Sequence, residues 1–264
     1  MPIGTVKIGN LTVSRLILGG NPFSGFSHQT PELDLAMKKY FTADRIKKTF
    51  RSAEELGITT CISRADRHIT RLLFEYRNEG GKIQWIAQTC PEMKNTARSV
   101  EDALSEGAHA CFIHGGIMDY LFSHNELDDI PGIIKMIKEA GIPAGIAGHD
   151  PQVFEWAEKN LEVDFYMCSY YNSAHRDQEA ELKSGRTEWF NNADRDIMVS
   201  LIRKLSKPVI HYKIFAAGRT APRQAFEFTA RHLRAGDAAC IGVYPENKPE
   251  MLIEDAALFN EYVR

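Results

Sequence analysis

One joint recurs along the chain and narrows its fold more than any other feature: an amphipathic helix, a glycine, then a short apolar run. It reads AEELGITTCIS at Gly57, LSEGAHACFIH at Gly107, IKEAGIPAGIAG at Gly141 and HLRAGDAACIGV at Gly236. A helix commonly ends on a left-handed residue just past its last turn, and glycine takes that conformation without a Cβ clash. A chain that repeats this joint alternates helices with strands. The helices carry the expected stripe. Ile46, Phe50, Ala53 and Leu56 share one face between Lys47, Lys48 and Arg51, and Ile130, Ile133, Ile134 and Ile137 share another. Pro131, Pro151, Pro222 and Pro249 fall near helix starts, where a missing N–H costs little.

The apolar runs predict eight strands, at 15–19, 59–63, 84–89, 110–114, 144–147, 165–169, 209–213 and 239–243. They are nearly continuous in apolar residues, as parallel strands covered on both faces must be. Eight strand–helix units in 264 residues match a closed (β/α)8 TIM barrel that takes in the whole chain, 1–264, as one domain. A doubly wound open sheet would carry a Gly-rich phosphate loop after its first strand, and GGNPFSGFSHQ does not have that spacing.

Composition removes several classes of partner. The net charge is −3 and no Lys/Arg run stands out, so neither nucleic acid nor an anionic membrane surface has a basic footprint to bind. The start, MPIGTVKIGNLTVSR, lacks the apolar core of a signal peptide, and no apolar run is long enough to span a bilayer. Cys61, Cys90, Cys111, Cys168 and Cys240 form no CxxC pair, and most sit in apolar runs, where a reduced thiol packs as a small hydrophobe. The expectation is a cytoplasmic protein whose partner is a small-molecule substrate.

The loops after Gly19, His114 and Tyr171 read as long, whereas the helix-to-strand turns are short. In a barrel this asymmetry defines one elaborated face, at the carboxyl ends of the strands, where such folds place their chemistry. The run Ala110-Cys111-Phe112-Ile113 therefore ends on His114 at the working rim, just before Gly115-Gly116. The other strand ends supply Asn21, Arg64, Gln88, His149 with Asp150, Cys168 with Tyr170 and Tyr171, and Tyr244. His211 and Lys213 are two apart in one strand and so share a face. Structural roles are open to several of them. Asp150 before Pro151 reads as a helix N-cap, Arg64 as a rim ion pair, Cys168 as packing, and Lys213 as the partner of a carboxylate.

Three chemistries fit this rim. A divalent metal on His114, His149, His211 and Cys168 would polarise a carbonyl or activate water. Lys213 as a Schiff-base amine would need its pKa lowered by burial or by a cation such as Arg64. A nicotinamide cofactor on the rim would leave His114 to orient a substrate carbonyl.

Several segments, in this order, resemble the aldo-keto reductases. KIGNLTVSRLILGGN is similar to that family's N-terminal β-hairpin leading into the first barrel strand, and CFIHGG to the fourth strand, whose terminal histidine belongs to the catalytic tetrad. AGIAGHDPQVFEWA, VDFYMCSYYNS, VIHYKIFAAGR and IGVYPENKPEMLIEDAALF resemble the later strands and the closing cofactor loop and helix. The resemblance implies a TIM barrel with an N-terminal hairpin and an NAD(P) site. Tyr212 would stack on the nicotinamide, with Asn21 and Lys248 as further cofactor contacts. Of the tetrad Asp, Tyr, Lys and His, only His114 is matched. Ile62 and Ser63 stand where the aspartate belongs, no tyrosine follows, and Gln88 or Thr89 replaces the lysine. His149 and Cys168 replace the amides that hold the carboxamide, and no clear arginine is present for a 2′-phosphate. The carbonyl's usual proton donor is missing.

The leading expectation is a barrel enzyme with a rebuilt rim. It would act on a small carbonyl or polyol, sugar-derived ones included, by lyase, isomerase or hydrolase chemistry through His114, Lys213, Arg64 and Tyr170, with or without the metal. The alternative is an atypical NAD(P)-dependent oxidoreductase, and the third reading is a binding protein without turnover.

Overall fold

The computed structural model describes residues 3–175, 177–181 and 188–263. A two-stranded antiparallel hairpin, β1 (Thr5–Ile8) and β2 (Leu11–Ser14), precedes the barrel. Eight strands follow: β3 (Leu16–Gly19), β4 (Thr60–Arg64), β5 (Gln84–Gln88), β6 (Ala110–Ile113), β7 (Ala144–Gly148), β8 (Phe165–Ser169), β9 (Val209–Tyr212) and β10 (Ala238–Ile241). They pair in parallel and in chain order, and β10 closes on β3. The helices are α1 (Pro31–Tyr40), α2 (Ala43–Glu55), α3 (Arg67–Asn78), α4 (Thr96–Ser105), α5 (Gly115–His124), α6 (Ile130–Glu139), α7 (Pro151–Asn160), α8 (Asn192–Ile202), α9 (Pro222–His232) and α10 (Met251–Tyr262). The architecture is the expected TIM barrel with its N-terminal hairpin. Among the described residues no helix is long and apolar enough to cross a membrane.

Strand alternation sorts the core into two layers. Ile17, Ile62, Ile86, Phe112, Phe165, Met167 and Ile210 point inward. Val6, Ile8 and Val13 of the hairpin pack on this inner layer and plug one end of the barrel. Leu18, Cys61, Trp85, Ile113, Ile146, Tyr166 and Val209 point outward under the helices. Apolar residues thus fill the barrel below its mouth.

One loop differs from the sequence reading. The segment after His114 is not a long loop, because α5 begins at Gly115. Glycine is a poor helix former, which masks the helix in the sequence. Packing explains the pair. A Cβ on Gly116 would collide with the Ala180 carbonyl oxygen, and one on Gly115 would lie 3.0 Å from His149 Cε1.

Candidate active site

The alternation that fills the barrel also decides which strand-end groups reach its mouth. Two residues on from each inward apolar side chain stand Arg64 after Ile62, Gln88 after Ile86, His114 after Phe112, His149 after Ala147 and Tyr212 after Ile210. All five line one pocket of ≈ 60 Å³ together with Asn21, Phe26, His28 and Lys213.

His149 is the most elaborately held of them. It is buried, and its Nδ1 lies 2.6 Å from Asp119 Oδ2 on α5. Asp119 Oδ1 accepts from the backbone N–H groups of His149 (3.0 Å) and Asp150 (3.2 Å), which fixes the carboxylate against the ring. A neutral imidazole that donates from Nδ1 to this carboxylate presents Nε2 as an acceptor, and the Tyr212 hydroxyl lies 3.2 Å from that atom. Asp119, His149 and Tyr212 form a chain that ends at the pocket wall. His114 is built differently: its Nδ1 accepts from Gly116 N–H at 3.0 Å, capping α5 and leaving the proton of the neutral ring on Nε2.

Lys213 lies just beyond β9 with φ +57°. This left-handed residue breaks the alternation, so Lys213 reaches the pocket that Tyr212 also faces, while His211 does not. Its Nζ lies 3.1 Å from Glu188 Oε2 and 3.0 Å from Ser173 Oγ. Glu188 Oε1 lies 2.6 Å from His28 Nδ1, and His28 Nε2 lies 3.1 Å from Asn21 Nδ2. Burial alone would raise the Glu188 carboxyl, but His28, Lys213 and Ser173 together hold it well below the usual carboxylate range. Arg219 donates to His28 O and Gln29 to Ala217 O, tying the loops after β3 and β9 together. Arg64 pairs with Glu92 and Asp66 and stacks on Phe26, its guanidinium carbon 5.0 Å from the ring centre.

Three of the residues singled out from sequence lie elsewhere. His211, Cys168 and Tyr170 point outward, between the strands and the helices. His211 Nε2 lies 3.2 Å from Asp237 Oδ2, and its Nδ1 lies 3.0 Å from the Tyr170 hydroxyl. Burial lowers the His211 pKa, and burial raises those of Tyr170 and Cys168. The proposed metal set is therefore divided between the two faces of the sheet. Among the described residues no three His, Cys, Asp or Glu side chains gather where they could share an ion. The donor set does not fit a metal. The Schiff-base role of Lys213 meets an obstacle of its own, since its Nζ is held in an ion pair with buried Glu188. Asp150 caps α7 through Gln152 N–H, as its place before Pro151 predicts.

The pocket opens into a larger cavity of ≈ 510 Å³, which shares Asn21, His28, Tyr212 and Lys213 with it. This groove runs past Ile214, Phe215 and Gly242 to Tyr244, Lys248, Met251 and Asp255. It passes the starts of α9 and α10, neither of which is capped by a side chain. Burial pushes the Asp255 carboxyl up to about 7.

Sequence comparison is silent: no protein-family model and no curated protein matches the chain. Fold comparison is not. The chain has the fold of aldo-keto-reductase-like barrels. A Pseudomonas aeruginosa protein provisionally described as an aldo-keto reductase superposes with a TM-score of 0.68 at 18% identity, over 98% of this chain and 96% of that one. The glycerol dehydrogenase of Gluconobacter oxydans gives 0.53 at 13% identity, over 98% and 76% of the two chains. A truncated 3-deoxy-D-arabino-heptulosonate 7-phosphate synthase from Thermotoga maritima gives 0.54 at 14% identity, over 97% and 86%. Reductase and synthase barrels match alike, so the fold does not select the chemistry.

Proposed function

We propose that this protein is a nicotinamide-dinucleotide-dependent oxidoreductase acting on a small polar carbonyl or its alcohol, with a proton donor of its own. One observation carries the reading: the ≈ 510 Å³ groove is continuous with the polar pocket at Asn21, Tyr212 and Lys213. A two-part cavity suits a long cofactor beside a small substrate, and its volume lies within the range of cofactor sites. Asn21, Tyr212 and Lys213 would hold the nicotinamide end, and the residues from Tyr244 to Asp255 the other. A nicotinamide bound there supplies or accepts hydride.

The chain's own residues handle the proton. Asp119 stabilises the imidazolium form of His149, and the proton on His149 Nε2 passes through the Tyr212 hydroxyl to the substrate oxygen. In the reverse direction the same path takes it away. Arg64, Gln88 and the Nε2–H of His114 orient substrate oxygens. This answers the missing tetrad tyrosine with a different donor, carried by the ends of β7 and β9 rather than β4.

The test begins with quenching of intrinsic fluorescence by NADH and NADPH, followed by a screen of small polyols and their carbonyl forms for dinucleotide turnover. His149→Asn should leave the dinucleotide dissociation constant within about twofold and lower kcat by about 10²–10⁴-fold. Unchanged kcat would remove His149 from the reaction. A second reading, a cofactor-independent lyase or isomerase in the same pocket, is favoured by Ile62, Ser63 and Gln88 at the tetrad positions. It predicts solvent-deuterium exchange into a carbonyl substrate without any dinucleotide.

A further inference from the structure

The groove has two chemically different ends. One joins the polar pocket, where a reacting ring must lie. The other is closed by the first turns of α10, and there Asp255 lines the wall while only 3% exposed. Among the described residues the Asp255 carboxylate has no hydrogen-bond or ion-pair partner. The nearest candidate cation, Lys248, is paired with Glu254 instead. The stretch from Tyr244 to Asp255 carries Glu246, Glu250, Glu254 and Asp255 against Lys248 as its one cation.

A buried carboxylate without a partner is expensive, and a ligand that brings an O–H or N–H to it removes that penalty. A ligand that brings a phosphate does the opposite, because two anions then face each other in a poorly solvated cavity.

We infer that Asp255 makes the distal end of the groove a site for an unphosphorylated, hydroxyl- or amino-bearing group, so that the protein takes NAD(H) and rejects NADP(H). This rests on the dinucleotide reading above. With the nicotinamide at the pocket, the distal end receives the adenosine half, and the two cofactors differ there by the 2′-phosphate. Asp255 accepts hydrogen bonds from the adenosine hydroxyls or the amino group, and its charge opposes the phosphate.

The experiment is calorimetric titration of the full chain with NADH and with NADPH on the alkaline side of the raised Asp255 carboxyl, at about pH 8, on wild type and on Asp255→Asn. Wild type should bind NADH about tenfold or more tightly than NADPH. Asp255→Asn should shrink that ratio to within about threefold, chiefly by tightening NADPH. Its melting temperature, measured alongside, identifies a folding failure, and Asp255→Ser then serves as the replacement variant. Equal affinities in wild type, or a ratio that neither substitution changes, would overturn the assignment of Asp255 while leaving the dinucleotide reading intact. Binding of neither cofactor would overturn both.

Discussion

Asp119 does for His149 what no strand-end residue can: it holds the ring from the side opposite the pocket, so one nitrogen is fixed and the other is presented. Strand ends are legible in a sequence because apolar runs stop there, and reading them finds Arg64, His114, His149 and Lys213. Asp119 and Glu188 escape that reading because one lies on a helix and the other in a loop. An acid next to Ile117 and Met118 in a helix was the available signal for Asp119. The residues read onto the wrong face, His211, Cys168 and Tyr170, fail for a single reason. The side-chain period of a strand is two, so an uncertain register turns every second residue the wrong way. Asp255 gives a residue-scale prediction of its own. Its folded-state pKa is raised to about 7 by burial, so the native protein holds this proton at pH values where the unfolded chain has lost it. Its stabilising contribution is therefore complete in acid and declines as pH rises from the ordinary carboxylate range through about 7. Asp255→Asn does not titrate. Denaturant titrations across that window should show the variant gaining on wild type by up to about 4 kcal/mol at the alkaline end. A constant difference would show that Asp255 titrates normally.

At the scale of elements, the barrel was legible strand by strand because the physics of the joint is local: a helix stripe, a glycine and an apolar run, the glycine being left-handed at Gly57, Gly107 and Gly141 but not at Gly236. The helix α5 was not, because its opening glycines serve a tertiary contact rather than helix propensity. Gly116 lets the loop at Ala180 lie against the start of α5, beside His114. Gly116→Ala should push that loop away and tilt α5, and with it Asp119. The expected result is a loss of about 1–3 kcal/mol in stability and a fall in kcat/KM. Thermal melts and steady-state kinetics check the two halves separately, and a variant with wild-type values in both would mean that the loop accommodates the methyl group.

Across the whole molecule, the hairpin plug and the candidate site occupy opposite ends of the barrel. The hairpin residues Val6, Ile8 and Val13 are buried against the inner layer, while every polar group of the pocket stands at the mouth. Ile8→Ala, at 1% exposure, should therefore cost about 2–4 kcal/mol of unfolding free energy. It should leave dinucleotide affinity and the pH profile of turnover unchanged at temperatures where the variant stays folded. A shifted pH profile would mean that the hairpin helps to shape the mouth.

The plugged floor has a kinetic consequence. A vessel with one opening enforces an order on its traffic: whatever lies nearest the bottom must enter first or find the neck unobstructed, and must leave the same way. A long ligand lying in the groove forms one side of that neck, passing Asn21, Tyr212 and Lys213, which the deeper pocket also uses. Once it is seated, it narrows the way in and out for the smaller molecule. On the proposed reading, departure of the long ligand would be the slow step, and excess substrate trapped beneath it should inhibit turnover.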